Sequence, residues 1–304
     1  WLVFDERVRM VHLAPESFDA SVLDLLGPLL AGGTLVLHTE KTPTLAGLAR
    51  VVAEHEIDTL FLTTALFHAL VDEAPETLAR LRQVATGGEA LSVAHLERAR
   101  RAAPGLAIAN CYGPTEATVI ASTWSAPFPL PATLTLAPIG TPLANTDVLV
   151  LDARGEPQPI GVPGELHVGG AAIALGYWKR PELTAERFVR DPRGPGQLYR
   201  SGDLARWRSD GTLEFLGRRD DQVKIRGHRI ELAEIESRLA EHPAVRRALV
   251  IACAGADGAQ RLIAYAVPDE TRPSAAELAA HLAARLPEYM RPSVCVLLDE
   301  LPVT

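Results

Sequence analysis

Apolar residues in the first two-thirds of the chain alternate between a helical period and short runs of strand length. Residues 20–30 (ASVLDLLGPLL) and 44–55 (TLAGLARVVAEH) are typical of helices, since apolar side chains recur there every three or four positions. A third helix is predicted after Ser92, which suits an N-cap. Runs typical of buried strands are TLVLH (34–38), DTLFL (58–62), QVATGG (83–88) and LAIANCYG (106–113). This alternation predicts an α/β sheet domain with ligand-binding loops after the strands.

From about residue 137 the pattern changes, because Pro and Gly become frequent between short alternating runs. TDVLVLD (146–152) and GELHVGG (164–170) are typical of strands and predict a β-rich subdomain that bears one face of the cleft. A charge-dense segment without an apolar period follows at 217–227, and beyond it helices are predicted at 231–242 and after Ser274. The last part of the chain is therefore expected to be a small α+β unit.

The length of 304 residues fits two compact domains, which we place at 1–219 and 220–304. A net charge of −8 argues against a general nucleic-acid-binding surface, and no apolar run is long enough to span a membrane. Three widely spaced cysteines give neither a disulfide framework nor a zinc pattern, so we expect a reducing, cytoplasmic setting.

The segment NCYGPTEAT (110–118) carries the first candidate chemistry. Gly113-Pro114 predicts a tight turn directly after a strand, and the turn presents Thr115 and Glu116. A hydroxyl beside a carboxylate suits phosphate oxygens and Mg²⁺, and Tyr112 offers a flat face for a base. On residue types alone, however, a polar loop with a surface glutamate is the better interpretation.

Other acidic positions are similarly ambiguous when taken singly. Asp203 follows a glycine in what we predict to be a strand-end turn, where it suits either ribose hydroxyls or an ordinary β-turn. Arg218 and Asp220 lie in the charge-dense segment, for which a solvated linker is the common interpretation. Asp19 precedes a predicted helix and suits an N-cap.

Six segments in this order resemble the core motifs of one family, the adenylation domains of nonribosomal peptide synthetases. They are FDASVLDLLGPLLAGGTLVL, NCYGPTEATV, GELHVGG with LGYWKRPELTAERF, LYRSGDLARW, GRRDDQVKIRGHRIELAEIE, and LPEYMRPS with LPVT. The resemblance runs from about residue 8 to the end, and the fifth segment is the most specific. It implies an α/β fold: part of a large adenylate-forming domain, with sheet layers and a β-rich subdomain, followed by a small α+β C-terminal domain.

The resemblance also implies a two-step reaction that uses ATP and Mg²⁺. An amino-acid carboxylate first attacks the α-phosphorus of ATP, giving aminoacyl-AMP and pyrophosphate. The phosphopantetheine thiol of a peptidyl carrier protein then takes the aminoacyl group, after the small domain has swung about a hinge. An MbtH-like helper protein is a further expected partner.

Matching the motifs residue by residue assigns roles in the nucleotide site. Thr115 is expected to contact phosphate and Glu116 to bind Mg²⁺. The residues expected around adenine and ribose are Gly88, Asn110, Tyr112, Asp203, Phe215 and Arg218. Asp220 occupies the hinge position, and the loop around Gly227 is expected to border the carrier arm.

The same matching assigns an amino-acid pocket, in which Asp19 pairs with the substrate ammonium. The remaining pocket positions are Ala20, Leu23, Phe61, Ala85, Gly87, Cys111, Val119 and Ile120. None of these eight is charged, so a charged substrate side chain would find no counter-charge and an apolar amino acid is expected. The small side chains at Ala85 and Gly87 are expected to leave depth for a bulky aliphatic or aromatic side chain.

Some family elements are missing or altered. The resemblance implies a phosphate loop before Trp1 and a catalytic lysine after Thr304, so the chain as given is expected to adenylate slowly or not at all. Leu175 stands where the family commonly has Arg, and Ser201 replaces a usual Thr. Two alternatives stay open: an acyl- or aryl-CoA ligase of the same superfamily, and a catalytically silent docking module.

Overall fold

A seven-stranded sheet built from strand–helix repeats forms the first part of the protein. The computed structural model describes residues 2–38, 44–132, 134–220, 222–225, 227–254, 260–269 and 271–301. The sheet strands are β1 Arg9–His12, β2 Thr34–Leu37, β3 Thr59–Thr63, β4 Gln83–Gly87, β5 Ala107–Tyr112, β6 Ser122–Ser125 and β7 Thr141–Pro142. Their order is β2-β1-β3-β4-β5-β6-β7, with the first five parallel and β6 and β7 antiparallel. The carboxyl ends of β3, β4 and β5 therefore meet at one edge, where ligand loops are expected.

Three of the four helices between these strands begin at a side chain that caps them. They are α1 Ala20–Leu30, α2 Leu45–Glu54, α3 Thr64–Glu73 and α4 Val93–Ala102. Thr44, Thr63 and Ser92 each accept a hydrogen bond from a backbone N–H three residues further on. The apolar helix faces pack on the sheet around Leu60, Phe67 and other fully buried side chains. The predicted α/β sheet domain is confirmed.

The β-rich subdomain forms a second sheet. Its elements are β8 Thr146–Leu151, β9 Gly164–Gly170, α5 Pro181–Arg187, β10 Phe188–Arg190, β11 Gln197–Trp207 and β12 Leu213–Arg218. The strand order is β10-β11-β9-β8. In addition, β12 pairs antiparallel with residues 203–207 of β11. The prediction that Asp203 lies in a strand-end turn is wrong. Gly202, at φ +78°, and shifts in register make a β-bulge within one continuous strand, which re-aims the side chain of Asp203.

Replacement of Gly140 by Ala is expected to lower the free energy of unfolding by at least about 3 kcal/mol. Gly140 has φ +83°, and a Cβ there would lie 1.8 Å from the Thr123 carbonyl oxygen. Gly155 is the matched control, since it has φ +85° but no atom within 4 Å of a Cβ. Gly155→Ala should cost only about 1 kcal/mol. Urea unfolding measures both variants, and equal losses would contradict the backbone clash.

The structure separates into two compact units, residues 1–219 and 220–304. The second unit contains β13 Val223–Ile225, β14 His228–Ile230, α6 Leu232–Ala240, β15 Val245–Ala254, β16 Gln260–Pro268, α7 Ala275–Ala283 and β17 Val294–Leu297. Strands β15, β16 and β17 form one sheet, against which both helices contribute buried leucines. The capping box that was predicted for Ser274 and Glu277 is present.

The charge-dense segment is structured on both sides of the unit boundary, so its interpretation as a solvated linker is wrong. Arg218 ends β12, while β13 and β14 form a hairpin with Gly227 at φ +82° between them. The ring of His228 stacks on Tyr289, with 4.1 Å between centroids and 7° between planes. In the described parts of the chain, no helix is long and apolar enough to cross a membrane.

Candidate active site

The turn after β5 presents Thr115 and Glu116 in a short 3₁₀ helix, Thr115–Ala117. The chain then folds back through Thr118 and Val119, both with positive φ. Gly113 permits this return, since a Cβ there would lie 2.4 Å from the Val119 carbonyl oxygen. The predicted turn is therefore present, and the returning chain packs closely against its start at Gly113.

Asp19 lies beside this turn. The Thr115 hydroxyl donates a hydrogen bond of 2.6 Å to Asp19 Oδ2. Asp19 is the N-cap residue of α1 by position, but its side chain forms no capping hydrogen bond with the helix. The residue expected to contact phosphate and the residue expected to bind an ammonium group thus contact each other.

Glu116 is held by a residue to which the sequence analysis gave no role. The Tyr177 hydroxyl donates a hydrogen bond of 2.5 Å to Glu116 Oε1. Burial, followed by this contact with Glu116, raises the pKa of Tyr177 above its ordinary value, so the phenol stays protonated and remains a donor. The motif LGYW was the available signal, but nothing local in it points to a position 61 residues away.

The donor set around Glu116 fits Mg²⁺ delivered with a nucleotide. Within the described residues, no group of three or more His, Cys, Asp or Glu side chains gathers to hold a metal ion. Mg²⁺ at phosphoryl-transfer sites is usually held by one or two carboxylates together with substrate phosphates and waters, rather than by a protein cage. Glu116 and the adjacent Thr115 hydroxyl have the donor types that the protein part of such a site requires.

A buried polar cluster joins β5, β11 and β12. Asp203 is 2% exposed and accepts hydrogen bonds from the Tyr112 hydroxyl and the Arg218 guanidinium. Arg218 also donates to the Ser201 carbonyl at 3.1 Å. Burial and the neighbouring Asp203 carboxylate raise the pKa of Tyr112 well above its ordinary value. These hydrogen bonds fix the orientation of two planar groups, the Tyr112 ring and the Asp203 carboxylate.

The other residues expected in the nucleotide site lie nearby in the fold. The Phe215 ring is tilted against Tyr112, with 6.4 Å between centroids. Asn110 precedes Tyr112 by two positions on β5, and its amide donates to the Pro138 carbonyl at 2.8 Å. Gly88 directly follows β4, with φ +95°.

Six of the eight uncharged residues that were expected in the pocket belong to one apolar cluster. Ala85, Cys111 and Ile120 form its buried part with Leu2 and Ala109. Packed against them are Phe4, Leu23, Phe61, Val119 and Leu143. Ala20 is also buried, in the first turn of α1. Burial raises the pKa of the Cys111 thiol to about 12, so this wall of the cluster is uncharged.

Gly87 does not provide the depth that was expected from its missing side chain. A Cβ at this position would lie 2.5 Å from the Cys111 carbonyl oxygen of the adjacent strand β5. The glycine therefore serves close strand packing, and Ala85 is the small residue within the apolar cluster. Leu2, Phe4 and Leu143 belong to the same cluster but were missed, because no motif marks them.

Asp24 secures the loop that leads to Asp19. Its Oδ2 accepts hydrogen bonds of 3.0 Å from the backbone N–H groups of Leu13 and Ala14. The residue is 1% exposed, and burial raises its pKa from 3.8 to about 6.

The free energy of unfolding is expected to depend on pH through Asp24. Its folded pKa lies above its unfolded pKa, so the folded state binds the proton more tightly. The stabilisation is greatest below pH 4 and is lost as the pH rises to about 6. Urea unfolding of wild type and Asp24→Asn from pH 4 to pH 7 should show their difference change by about 2 kcal/mol. A difference that does not vary with pH would contradict this.

The hinge and carrier-loop positions lie in the second unit. Asp220 is its first residue and accepts a hydrogen bond from the Gln222 backbone N–H at 3.3 Å. Gly227 lies between β13 and β14, next to the stacked rings of His228 and Tyr289.

Comparisons with known proteins agree with the motif resemblance. A family model described as AMP-binding enzyme matches residues 2–178, and one described as AMP-binding enzyme C-terminal domain matches residues 234–304. One of the linear gramicidin synthase proteins of Brevibacillus parabrevis is 46% identical over 309 residues. That alignment covers 100% of this chain and 6% of the synthase protein. Tyrocidine synthase 3 of the same organism is 43% identical over 301 residues, which cover 98% of this chain and 5% of the synthase.

Solved structures share the fold over almost the whole chain. One is holo-PA1221, an NRPS protein containing adenylation and PCP domains, at 35% identity and a TM-score of 0.90. The alignment covers 100% of this chain and 52% of the PA1221 chain. NpsA-ThdA, an artificially fused adenylation–PCP didomain from Klebsiella oxytoca, has 34% identity and a TM-score of 0.86, with 96% of this chain covering 54% of it. The chain belongs to the family of AMP-binding enzymes and, within it, to the adenylation domains of nonribosomal peptide synthetases.

Proposed function

We propose that the protein containing this chain activates an apolar amino acid with ATP and transfers it to a carrier protein. The observation that carries the proposal is the hydrogen bond of 2.6 Å between Thr115 and Asp19. This contact supports the proposal, because the Asp19 carboxylate is suited to a substrate ammonium and the turn that carries Thr115 is suited to phosphate. The ammonium and carboxylate groups of an amino acid are bonded to the same α-carbon. With the ammonium at Asp19, the carboxylate would therefore be within reach of a phosphate held at the turn.

The side chains divide the work of the first step. Asp19 holds the ammonium, so that the substrate carboxylate is oriented towards the α-phosphorus. That carboxylate attacks, the bond between the α-phosphorus and the bridging oxygen breaks, and pyrophosphate leaves. Thr115 donates to phosphate, while Tyr112 and Asp203 hold base and ribose. Mg²⁺ bound at Glu116 supplies charge compensation on the phosphates.

The apolar lining supports the choice of substrate class. The cluster around Ala85, Cys111 and Ile120 offers no counter-charge to a charged side chain, whose desolvation would then be uncompensated. The small side chain of Ala85 leaves space for a substrate side chain, and the Phe61 ring forms part of the wall of the proposed pocket. We infer a bulky aliphatic or aromatic substrate side chain.

The proposed macromolecular partner is a carrier protein, because two similar solved proteins contain adenylation and PCP domains. Asp220, at the boundary between the units, is the proposed hinge for presenting the loop around Gly227 to the carrier arm. An MbtH-like helper is a further proposed partner, and co-expression with and without such a protein tests it by the yield of active enzyme.

Pyrophosphate exchange tests the proposed reaction. The assay uses an adenylation domain that spans the whole length of the adenylation domains in the solved relatives. A panel of amino acids should give strong exchange with one apolar residue and little with Asp, Glu, Lys or Arg. Fatty and aryl acids belong in the same panel, since preference for them would favour a CoA ligase. Absence of exchange and of ATP binding would favour a silent docking module.

Ala85→Ile is expected to shift the preference towards a smaller side chain by about tenfold or more, since added volume in a packed cavity costs about 1–3 kcal/mol. Ala85 is fully buried in the apolar cluster. Ala107→Ile is the matched control, because Ala107 is exposed on the neighbouring strand β5. The ratio of kcat/KM values across the panel measures the shift, and an unchanged ratio would remove Ala85 from the pocket.

A further inference from the structure

The segment between β9 and α5 grips the turn that carries Glu116. The Thr118 hydroxyl donates to the Ala172 carbonyl at 2.6 Å. The Ala174 N–H donates to the Glu116 carbonyl at 2.8 Å, and the Tyr177 hydroxyl donates to the Glu116 carboxylate at 2.5 Å. Main chain and side chain of Glu116 are thus both fixed from one neighbouring segment.

Tyr177 is itself held on several sides. Its backbone N–H donates to the Thr184 hydroxyl at 2.9 Å. Its ring packs edge-on against Phe188, with 5.6 Å between centroids and 72° between planes. The Tyr199 side chain, which also contacts Phe188, is hydrogen-bonded to the Tyr177 hydroxyl. The phenol therefore reaches Glu116 from a rigid aromatic support.

The residue before Tyr177 adds to this constraint. Gly176 has φ +143°, and a Cβ there would lie 2.4 Å from Thr184 Cγ2. The glycine lets the chain pass against α5, so that Tyr177 enters the site at a fixed angle. The direction of its hydroxyl is consequently set by backbone packing and does not depend on a mobile loop.

We propose that Tyr177 is a positioning residue for the metal-binding carboxylate of Glu116, an inference that rests on the proposed function. A donor on Oε1 fixes the plane of the carboxylate before any ligand arrives. Partners that orient a metal-ligating side chain commonly contribute about ten- to a hundredfold to metal affinity. Tyr177 acts through Glu116 and is not assigned a contact with nucleotide or amino acid.

Tyr177→Phe tests this, since it keeps the ring and its packing on Phe188 but removes the donor. Mn²⁺ replaces Mg²⁺ as the probe, and free Mn²⁺ is measured by electron paramagnetic resonance with a non-hydrolysable ATP analogue and the full-length domain. The dissociation constant of Mn²⁺ should rise about tenfold or more. The KM for the amino acid and the urea midpoint should change little, and excess Mg²⁺ should restore pyrophosphate exchange.

Two controls separate positioning from packing. Tyr265→Phe, on β16 of the second unit, removes a hydroxyl far along the chain and should leave Mn²⁺ binding unchanged. In a Glu116→Gln background, Tyr177→Phe should have no additional effect on Mn²⁺ binding, because the two residues act as one unit.

The outcomes are distinguishable. Equal Mn²⁺ affinity in wild type and Tyr177→Phe, with or without a lower urea midpoint, overturns the positioning role and leaves the proposed function intact. Independent effects in the Glu116→Gln background also overturn it. No nucleotide-dependent Mn²⁺ binding by the wild-type domain overturns the proposed function itself, and this inference with it.

Discussion

Asp19→Asn is expected to lower kcat/KM for the amino acid by about 10²–10³-fold in pyrophosphate exchange. Removing one partner of an ion pair that becomes desolvated when the substrate binds commonly costs about 3–5 kcal/mol, and each 1.36 kcal/mol corresponds to a factor of about ten. Asn keeps an oxygen that can accept from Thr115, so the turn itself should stay in place. The loss should therefore concentrate on the amino acid, and the KM for ATP should change little.

Glu16→Gln is the matched control for Asp19→Asn. Glu16 is an exposed carboxylate three positions before Asp19 and loses the same charge on substitution. Its kcat/KM should stay within about twofold of wild type, as expected for a surface charge. Similar losses in both variants would show that net charge, rather than an ammonium contact, explains the effect.

Arg218→Met is the second large expected effect and should lower the free energy of unfolding by about 3–5 kcal/mol. It leaves Asp203 without its guanidinium partner in a site where the two side chains are 9% and 3% exposed. Because Asp203 is also the proposed ribose ligand, the KM for ATP should rise. Urea unfolding and ATP titration measure the two consequences separately.

A second ion pair on a nearby turn gives the control for Arg218→Met. Arg208 and Asp210 are 3.3 Å apart, but their side chains are 26% and 53% exposed. Arg208→Met should cost less than about 1 kcal/mol, because solvent screens such pairs. If Arg218→Met proves no more costly than Arg208→Met, the buried cluster does not contribute to stability as we infer.

Local features of the sequence were enough to predict most elements. Helix α1 has the same bounds as the apolar segment 20–30, and strand β9 matches GELHVGG residue for residue. Caps such as Ser92 act within one turn of chain, so their effect is visible without the fold. Ordered motifs also located the turn at Thr115 and Glu116.

What the sequence could not predict depends on partners that are distant in the chain. Asp203 was placed in a turn because a glycine precedes it, whereas pairing on both sides keeps β11 continuous. Residue types alone assigned Arg218 to a solvated linker, although strand pairing buries it opposite Asp203. Tyr177 received no role, since its partner lies 61 residues earlier. In each case tertiary contacts override local preference.

The contact between Thr115 and Asp19 has a consequence for the order of events at the site. A hydroxyl carries one proton, so Thr115 can donate fully to only one acceptor at a time. If the Thr115 hydroxyl donates its hydrogen bond to a phosphate oxygen instead, Asp19 Oδ2 becomes free to accept from the incoming ammonium. If bound nucleotide changes the affinity for the amino acid by some factor, the bound amino acid must change the affinity for nucleotide by the same factor. Rotation of the Thr115 hydroxyl would thereby couple the binding of the two substrates before any covalent bond is formed.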